Sequence, residues 1–351
     1  MKAKFILIIS ILFFYSNIKA QDTVLTKQFN FEYPVNIKTV AEITNTYGSI
    51  VFETIKENKI QVSGKIISKS TDFKKAAKRL GQVMLYKDTA NNRVTIKTMI
   101  LKKNFENYDK RNRVTINYII KIPIYLKLEI ENKYGNIVFK HEHHGKLNID
   151  LFTGNLTTDI LLFPETKPIS TIKTKYSDVN IKKCNWGQFD CSSTNLKIGE
   201  SKSLIIATDK SVVNIGVCNV LYCSGVNDVY SIKRIGKIEM NSKKTKLTID
   251  ELENSIDFKG ELKPITIKHI AANFSSVKIK NKQANVYAKI DDNASYKVFC
   301  QADLGEIEHP KKANLNRHLS SDYNRIEGIV GENKKTNASV EITTSYGKIS
   351  L

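Results

Sequence analysis

The residues best suited to chemistry form a run of four: His141, Glu142, His143 and His144. In extended backbone alternate side chains share a face, so His141 and His143 make a pair of imidazoles able to ligate Zn²⁺ or Cu²⁺. The spacing is not the helical H-E-x-x-H, and no third patterned ligand lies close in sequence. A solvated edge or corner is the competing reading. A second feature is charge. Between Lys74 and Arg113 there are twelve basic residues and three acidic ones. Lys102, Lys103, Arg111 and Arg113 lie beside Phe105 and Tyr108, and cations interleaved with rings suit a polyanion or sugar surface. An ordinary wet face is the alternative. Nothing resembles a P-loop, G-x-G-x-x-G or G-x-S-x-G, so nucleotide binding and serine-hydrolase chemistry have no sequence support.

These residues must be positioned by a repeat. Ser177, Thr194, Ser211, Asp228 and Thr245 stand seventeen apart, and four positions after each comes Ile181, Ile198, Ile215, Ile232 or Ile249. Apolar and polar residues alternate inside each unit, which indicates strand. The longer fixed period indicates stacked units whose apolar columns merge into one core. The phrase ITNTYGSIVF at Ile43–Phe52 returns as IENKYGNIVF at Ile130–Phe139 and as ITTSYGKISL at Ile342–Leu351, placing Gly48, Gly135 and Gly347 at the same anchor. Gly tolerates positive φ, and Ser, Thr or Asp can bond local backbone, so each anchor is expected to be a tight corner. The register also tests for catalysis. Glycoside cleavage needs two carboxylates roughly 5 to 10 Å apart, but Asp178, Asp190, Asp209 and Asp228 fall at different places in their units. No column in the central units collects two neighbouring acids.

Outside the repeat, Lys59 to Ser68 alternates as a strand. Ser70, Thr71 or Asp72 then caps an expected helix with Phe73, Ala76, Ala77, Leu80, Val83 and Met84 at helical spacing. Arg93–Ile100 and Val114–Ile122 are expected as two strands of a hairpin joined by the polar loop Lys102–Arg113. Later anchors are expected at Lys263 and Ser275. A loop is expected near Phe163–Ile169, and two final units, Tyr296–Glu308 and Ser339–Leu351, are expected to flank a mobile stretch His309–Lys335.

Of 351 residues, 41% are hydrophobic and 26% charged, a composition neither fibrous nor disordered. Met1–Ala20 carries Lys2 and Lys4, an apolar run Phe5–Tyr15 and a small residue at its end, the three parts of a secretory signal. Removing Lys2, Lys4 and Lys19 lowers the formal charge from +20 to +17. Such a surplus attracts anionic polymers, although a compositional bias towards Lys, Asn and Ile accounts for it equally. Five cysteines leave at least one outside any internal disulfide. Cys184 and Cys218 share a column two units apart, roughly 9 to 10 Å, beyond disulfide reach; buried free thiols are expected.

The TYGSIVF, KYGNIVF and SYGKISL phrases, with the strand-Pro-strand run NYIIKIPIYLKLEI, resemble a bacterial “putative adhesin” family related to auto-transporter adhesin heads. The resemblance implies an exported β-solenoid and supplies no catalytic residues. The expected fold is therefore all-β: a single-stranded parallel β-helix or β-solenoid of about 17-residue coils with an N-terminal strand-helix-hairpin cap. Residues 1–20 are read as signal, 21–129 as cap region and 130–351 as solenoid continuous with it. The expected role is a non-enzymatic adhesin-like binding or structural module at the cell envelope, periplasmic, cell-surface or extracellular. A polysaccharide-active lyase or hydrolase is the alternative. No cofactor, nucleic acid or stable membrane insertion is expected, and an anionic polysaccharide or other envelope polymer is the expected partner.

Overall fold

The five isoleucines of the repeat lie side by side. Ile181, Ile198, Ile215, Ile232 and Ile249 are successive partners in parallel pairings, and none is more than 3% exposed. The strands carrying them, Thr171–Ser192, Asn195–Asp209, Val212–Val226, Val229–Lys243 and Lys246–Glu261, thus stack like residue over like. β-Branched side chains pack well on such a pleated surface. A computed structural model describes residues 22–101, 111–164, 169–309 and 315–351. The described residues are nearly all β, in one sheet of 24 strands, mostly parallel, with a single helix, Phe73–Gly81. The expected export signal at Met1–Ala20 lies outside them. Gly154 pairs with Ser177 across the one 23-residue step. The extra residues therefore fall between Leu161 and Thr171, where the loop was expected; residues 165–168 are outside the described set.

The corners depart from expectation in an instructive way. Positive φ falls one residue before the anchor, on Tyr47, Tyr134, Thr153, Tyr176, Ser193 and Lys210 among others, while Gly48, Gly135 and Gly347 themselves are not left-handed. Glycine is needed there for close stacking instead. A Cβ on Gly135 would lie 1.8 Å from the Gly48 carbonyl oxygen, and one on Gly48 would lie 1.9 Å from that of Ile116. Where the stack loosens, the anchor side chain takes over a backbone donor of the unit before. The Thr194 N–H donates to Ser211 Oγ at 3.1 Å, and the Ser211 N–H to Asp228 Oδ1 at 2.8 Å. In the glycine corners Asn45 and Asn132 do comparable work, each donating from Nδ2 to the Gly48 carbonyl at 3.1 Å.

Both ends of the sheet are threaded out of order. Val40–Thr46 pairs with Arg93–Ile100 on one side and with Lys127–Lys133 on the other. Ile50–Ile55 likewise lies between Arg113–Pro123 and Ile137–Phe139. The expected hairpin of Arg93–Ile100 with Val114–Ile122 is therefore wrong, since each extends a different part of the stack. Arg93–Ile100 instead turns back on Val83–Ala90 through Asn91 and Asn92, both left-handed, a pairing typical of tight hairpins. Val83 and Met84 belong to this strand, not to the helix. Gly81 disfavours continuation, and Gln82 provides the C-cap. The N-cap is Asp72, whose Oδ1 accepts the Lys75 N–H at 2.8 Å. Thr23–Pro34, which the sequence reading left unassigned, runs antiparallel to Lys59–Ser70, and that strand in turn covers Arg113–Pro123.

At the other end the two final units exist in exchanged order. Ser339–Ser345 slots between Ser276–Lys282 and Tyr296–Asp303. The intervening stretch contains two further strands, Leu315–Leu319 and Tyr323–Val330, antiparallel to each other; Tyr323–Val330 also pairs antiparallel with Tyr296–Asp303. The corner after Lys263 is at Gln283 (φ 55) and not at Ser275.

Candidate functional site

Three left-handed corner residues, Tyr47, Tyr134 and Tyr176, form a row with Phe152, which precedes the left-handed Thr153. Tyr47 stacks on Tyr134 with ring centroids 5.4 Å apart, Tyr134 meets Phe152 edge-on at 5.5 Å, and Phe152 meets Tyr176 edge-on at 5.7 Å. These separations follow the spacing of neighbouring strands, ~4.8 Å, because each ring comes from the next rung. Tyr134 is 40% exposed and Tyr176 54%. Lys175 places its Nζ 5.3 Å from the Tyr176 ring centroid. On the other side of the anchor runs a row of polar side chains: Asn136, Asn155, Asp178 and Asn195 stand one position after Gly135, Gly154, Ser177 and Thr194, all exposed. Asn155 pairs with Asp178, and Asp178 with Asn195. Asn136 Oδ1 accepts the Asn155 N–H at 3.0 Å. A cavity of about 530 Å³ opens between the two rows, lined by Tyr176, Asp178, Asn195 and Lys210. Rings beside amides and a carboxylate can stack on an apolar ligand face while hydrogen-bonding its polar rim.

A second groove, about 470 Å³, is lined by Glu42, Glu129, Glu131 and Asp150. Here carboxylates do meet in register. Glu42 pairs with Glu129, and Glu131 with Asp150. The central units contain one such pair too, against the expectation from the sequence: Glu239 lies opposite Asp257, with Lys237 2.7 Å from Glu239. The signal was present in the aligned phrases EITNTYG and EIENKYG, which superimpose Glu42 on Glu129. The three glutamates of the groove are already paired: Arg93 Nη1 lies 2.5 Å from Glu129 and 3.5 Å from Glu42, Lys97 lies 2.6 Å from Glu42, and Lys133 lies 2.7 Å from Glu131. Lys97 and then Arg93 hold the Glu42 carboxyl below its ordinary range, whereas a general acid requires a raised one.

The histidines separate. His141 is exposed, and its Nδ1 accepts the Thr54 N–H at 3.3 Å. His143 is 1% exposed, with its ring 5.5 Å from that of Phe139, and burial, then the neighbouring His144, pushes its pKa down to about 3. His144 contacts Glu142 at 3.2 Å. The chain does not run as a regular strand through His141–His144, so the alternation that would place His141 and His143 on one face fails. Among the described residues no group of three His, Cys, Asp or Glu could hold a metal. In the basic segment Lys102 and Lys103 lie outside the described residues, as do Phe105 and Tyr108. Arg111 and Arg113 are exposed, Arg113 opposite Lys69 in the sheet. Phe73, expected on the helix's apolar face, is 61% exposed. All five cysteines are buried and free. Burial pushes the Cys184 and Cys191 thiols up to about 11 and those of Cys218 and Cys300 to about 12, which suppresses the thiolate.

No family model matches the chain, and no curated protein does. Several solved structures are similar at low identity. A “putative cell adhesion protein” from Clostridium sporogenes is 11% identical over 92% of this chain and 98% of its own, with a TM-score of 0.17. A “putative lipid binding protein” from Parabacteroides distasonis is 13% identical over 75% of this chain and 95% of its own, TM-score 0.39. A “putative adhesin” from Bacteroides fragilis is 13% identical over 92% of this chain and 96% of its own, TM-score 0.28. None of the three superposes closely. No helix among the described residues is long and apolar enough to cross a membrane.

Proposed function

We propose that the chain is an exported β-solenoid acting without catalysis, an adhesin-like binding module of the bacterial cell envelope. The observation that carries this reading is the row of rings from Tyr47 to Tyr176, exposed at Tyr134 and Tyr176 and held at rung spacing by the parallel stack. Large exposed side chains in regular array offer contact area without the ordering cost of a flexible loop. The left-handed backbone beneath them fits the same reading. Bulky residues rarely adopt it, and such conformations cluster where side chains must be presented. Ion pairing of Glu42, Glu129 and Glu131 favours binding over polysaccharide cleavage in their groove. Export rests on the Met1–Ala20 segment.

The test is a binding screen of the full chain against envelope polymers, neutral and acidic glycans and lipid vesicles, at two salt concentrations. Specific retention of one class, lost in a Tyr134→Ala/Tyr176→Ala variant that melts like the parent, supports the module. Turnover of any screened polymer that a single point substitution abolishes would instead establish an enzyme.

A further inference from the structure

The corner that carries the rings also carries an unbalanced charge. From the Gly135 corner to the Thr245 corner, the two positions before each anchor and the one after it contribute Lys133, Lys175, Lys210, Lys243, Lys244 and Lys246. Against them stand only Asp178 and Asp209; Asp228, an anchor itself, is buried. Lys133 is bound to Glu131, and Lys243 lies 3.8 Å from Glu261. Lys175, Lys210, Lys244 and Lys246 are exposed and have no ion pair among the described residues. They cluster at one corner of the stack: Lys175 shares the Tyr176 rung, and Lys210, Lys244 and Lys246 stand on later rungs. Two independent periodic features share this edge: rings with polar side chains beside them at the first rungs, and free ammonium groups at the later ones.

A ligand that matches both must itself be periodic, with flat apolar faces, hydroxyls at the rim and negative charge at regular intervals. We propose that this corner is the track for a linear anionic glycan, whose sugars rest against the exposed Tyr134 and Tyr176 rings and whose carboxylates meet Lys175, Lys210 and Lys244. The proposal rests on the binding-module reading and names its ligand class and its site. An equatorially linked pyranose chain advances by about one ring per sugar, close to the rung spacing of ~4.8 Å, so successive sugars meet successive rungs. The same amides that pair along the stack keep oxygens and NH₂ groups on the exposed rim, where sugar hydroxyls replace water. The lysines give attraction that salt screens.

The probes are a polymannuronate hexamer and a hyaluronan hexamer, with cellohexaose as an uncharged chain of similar linkage, titrated by calorimetry into the purified full chain. Binding of at least one anionic hexamer is expected, weakening about tenfold or more in Tyr134→Ala/Tyr176→Ala and in Lys175→Glu/Lys210→Glu. It should also weaken steeply between low and high salt and remain within about twofold in Arg111→Glu/Arg113→Glu. The lysine variant touches no core atom, so its melting temperature should match the parent and separates loss of contact from loss of fold. The proposal is overturned if neither anionic hexamer binds, if cellohexaose binds as tightly, or if the arginine variant loses binding while the lysine variant keeps it. In each of these cases the broader binding module survives if the polymer screen still finds a ligand, and fails if it finds none.

Discussion

Asp228 is 2% exposed, yet its carboxylate accepts the Ser211 N–H at 2.8 Å and the Thr208 hydroxyl at 2.9 Å. Burial raises its pKa above the ordinary 3.8, and those two bonds only partly oppose the shift. The folded chain therefore keeps this proton to higher pH than the unfolded chain does. As pH climbs past 3.8 the unfolded state releases it first, so stability falls through that window until the folded group has also ionised. Asp228→Asn should consequently melt close to the parent below pH 3.8 and above it at pH 7, as scanning calorimetry at the two pH values would read; a lower melting temperature at pH 7 would contradict the argument. At Gly135 the expected sign is opposite. A methyl 1.8 Å from the Gly48 carbonyl oxygen must push two rungs apart, so Gly135→Ala should cost at least the ~1–3 kcal/mol of an overpacked site, measured by urea unfolding. Ser211→Ala removes the acceptor of the Thr194 N–H and should cost about 1–3 kcal/mol by leaving a buried donor unpaired.

At the scale of elements, the exchanged order of the last two units has a direct consequence. Ser339–Ser345 fills the gap between Ser276–Lys282 and Tyr296–Asp303, two strands that do not otherwise pair. A chain ending at Lys335 keeps both flanking strands but leaves each with an unpaired edge, a configuration prone to association. Limited proteolysis should then cut between Tyr296 and Val330, and a synthetic peptide of residues 339–351 added in excess should restore protection. Protection without the peptide would mean that the last strand is dispensable. The opposite end is closed by Thr23–Pro34 and Lys59–Ser70, with Phe29 packing its ring 5.3 Å from that of Tyr118. Antiparallel strands thus complete a parallel stack at both ends, which limits the length of bare parallel edge.

For the whole molecule, stacking on nearest neighbours makes stability close to a sum over rungs. Ile215 lies between Ile198 and Ile232 at 3% exposure, so Ile215→Ala should cost about 2–5 kcal/mol. The single Trp186, two strands away on Thr171–Ser192, reports that loss by fluorescence during urea unfolding. The period of seventeen, the alternation within it, the buried cysteines and the step at Gly154 were all readable from residue spacing, because each depends on neighbours a fixed distance away along the chain. A helix cap at Ser70, Thr71 or Asp72 was readable for the same local reason, and the structure chooses Asp72. What spacing could not supply was the pairing of segments far apart in sequence: Arg93–Ile100 beside Val40–Thr46, Arg113–Pro123 beside Ile50–Ile55, and Ser339–Ser345 inserted ahead of its turn. Those partners are chosen by which exposed edge remains free once the stack has formed. The aromatic track has the same origin. Tyr47, Tyr134, Phe152 and Tyr176 are scattered over 130 residues of sequence, and only the stacking of their rungs brings their rings within 6 Å of one another.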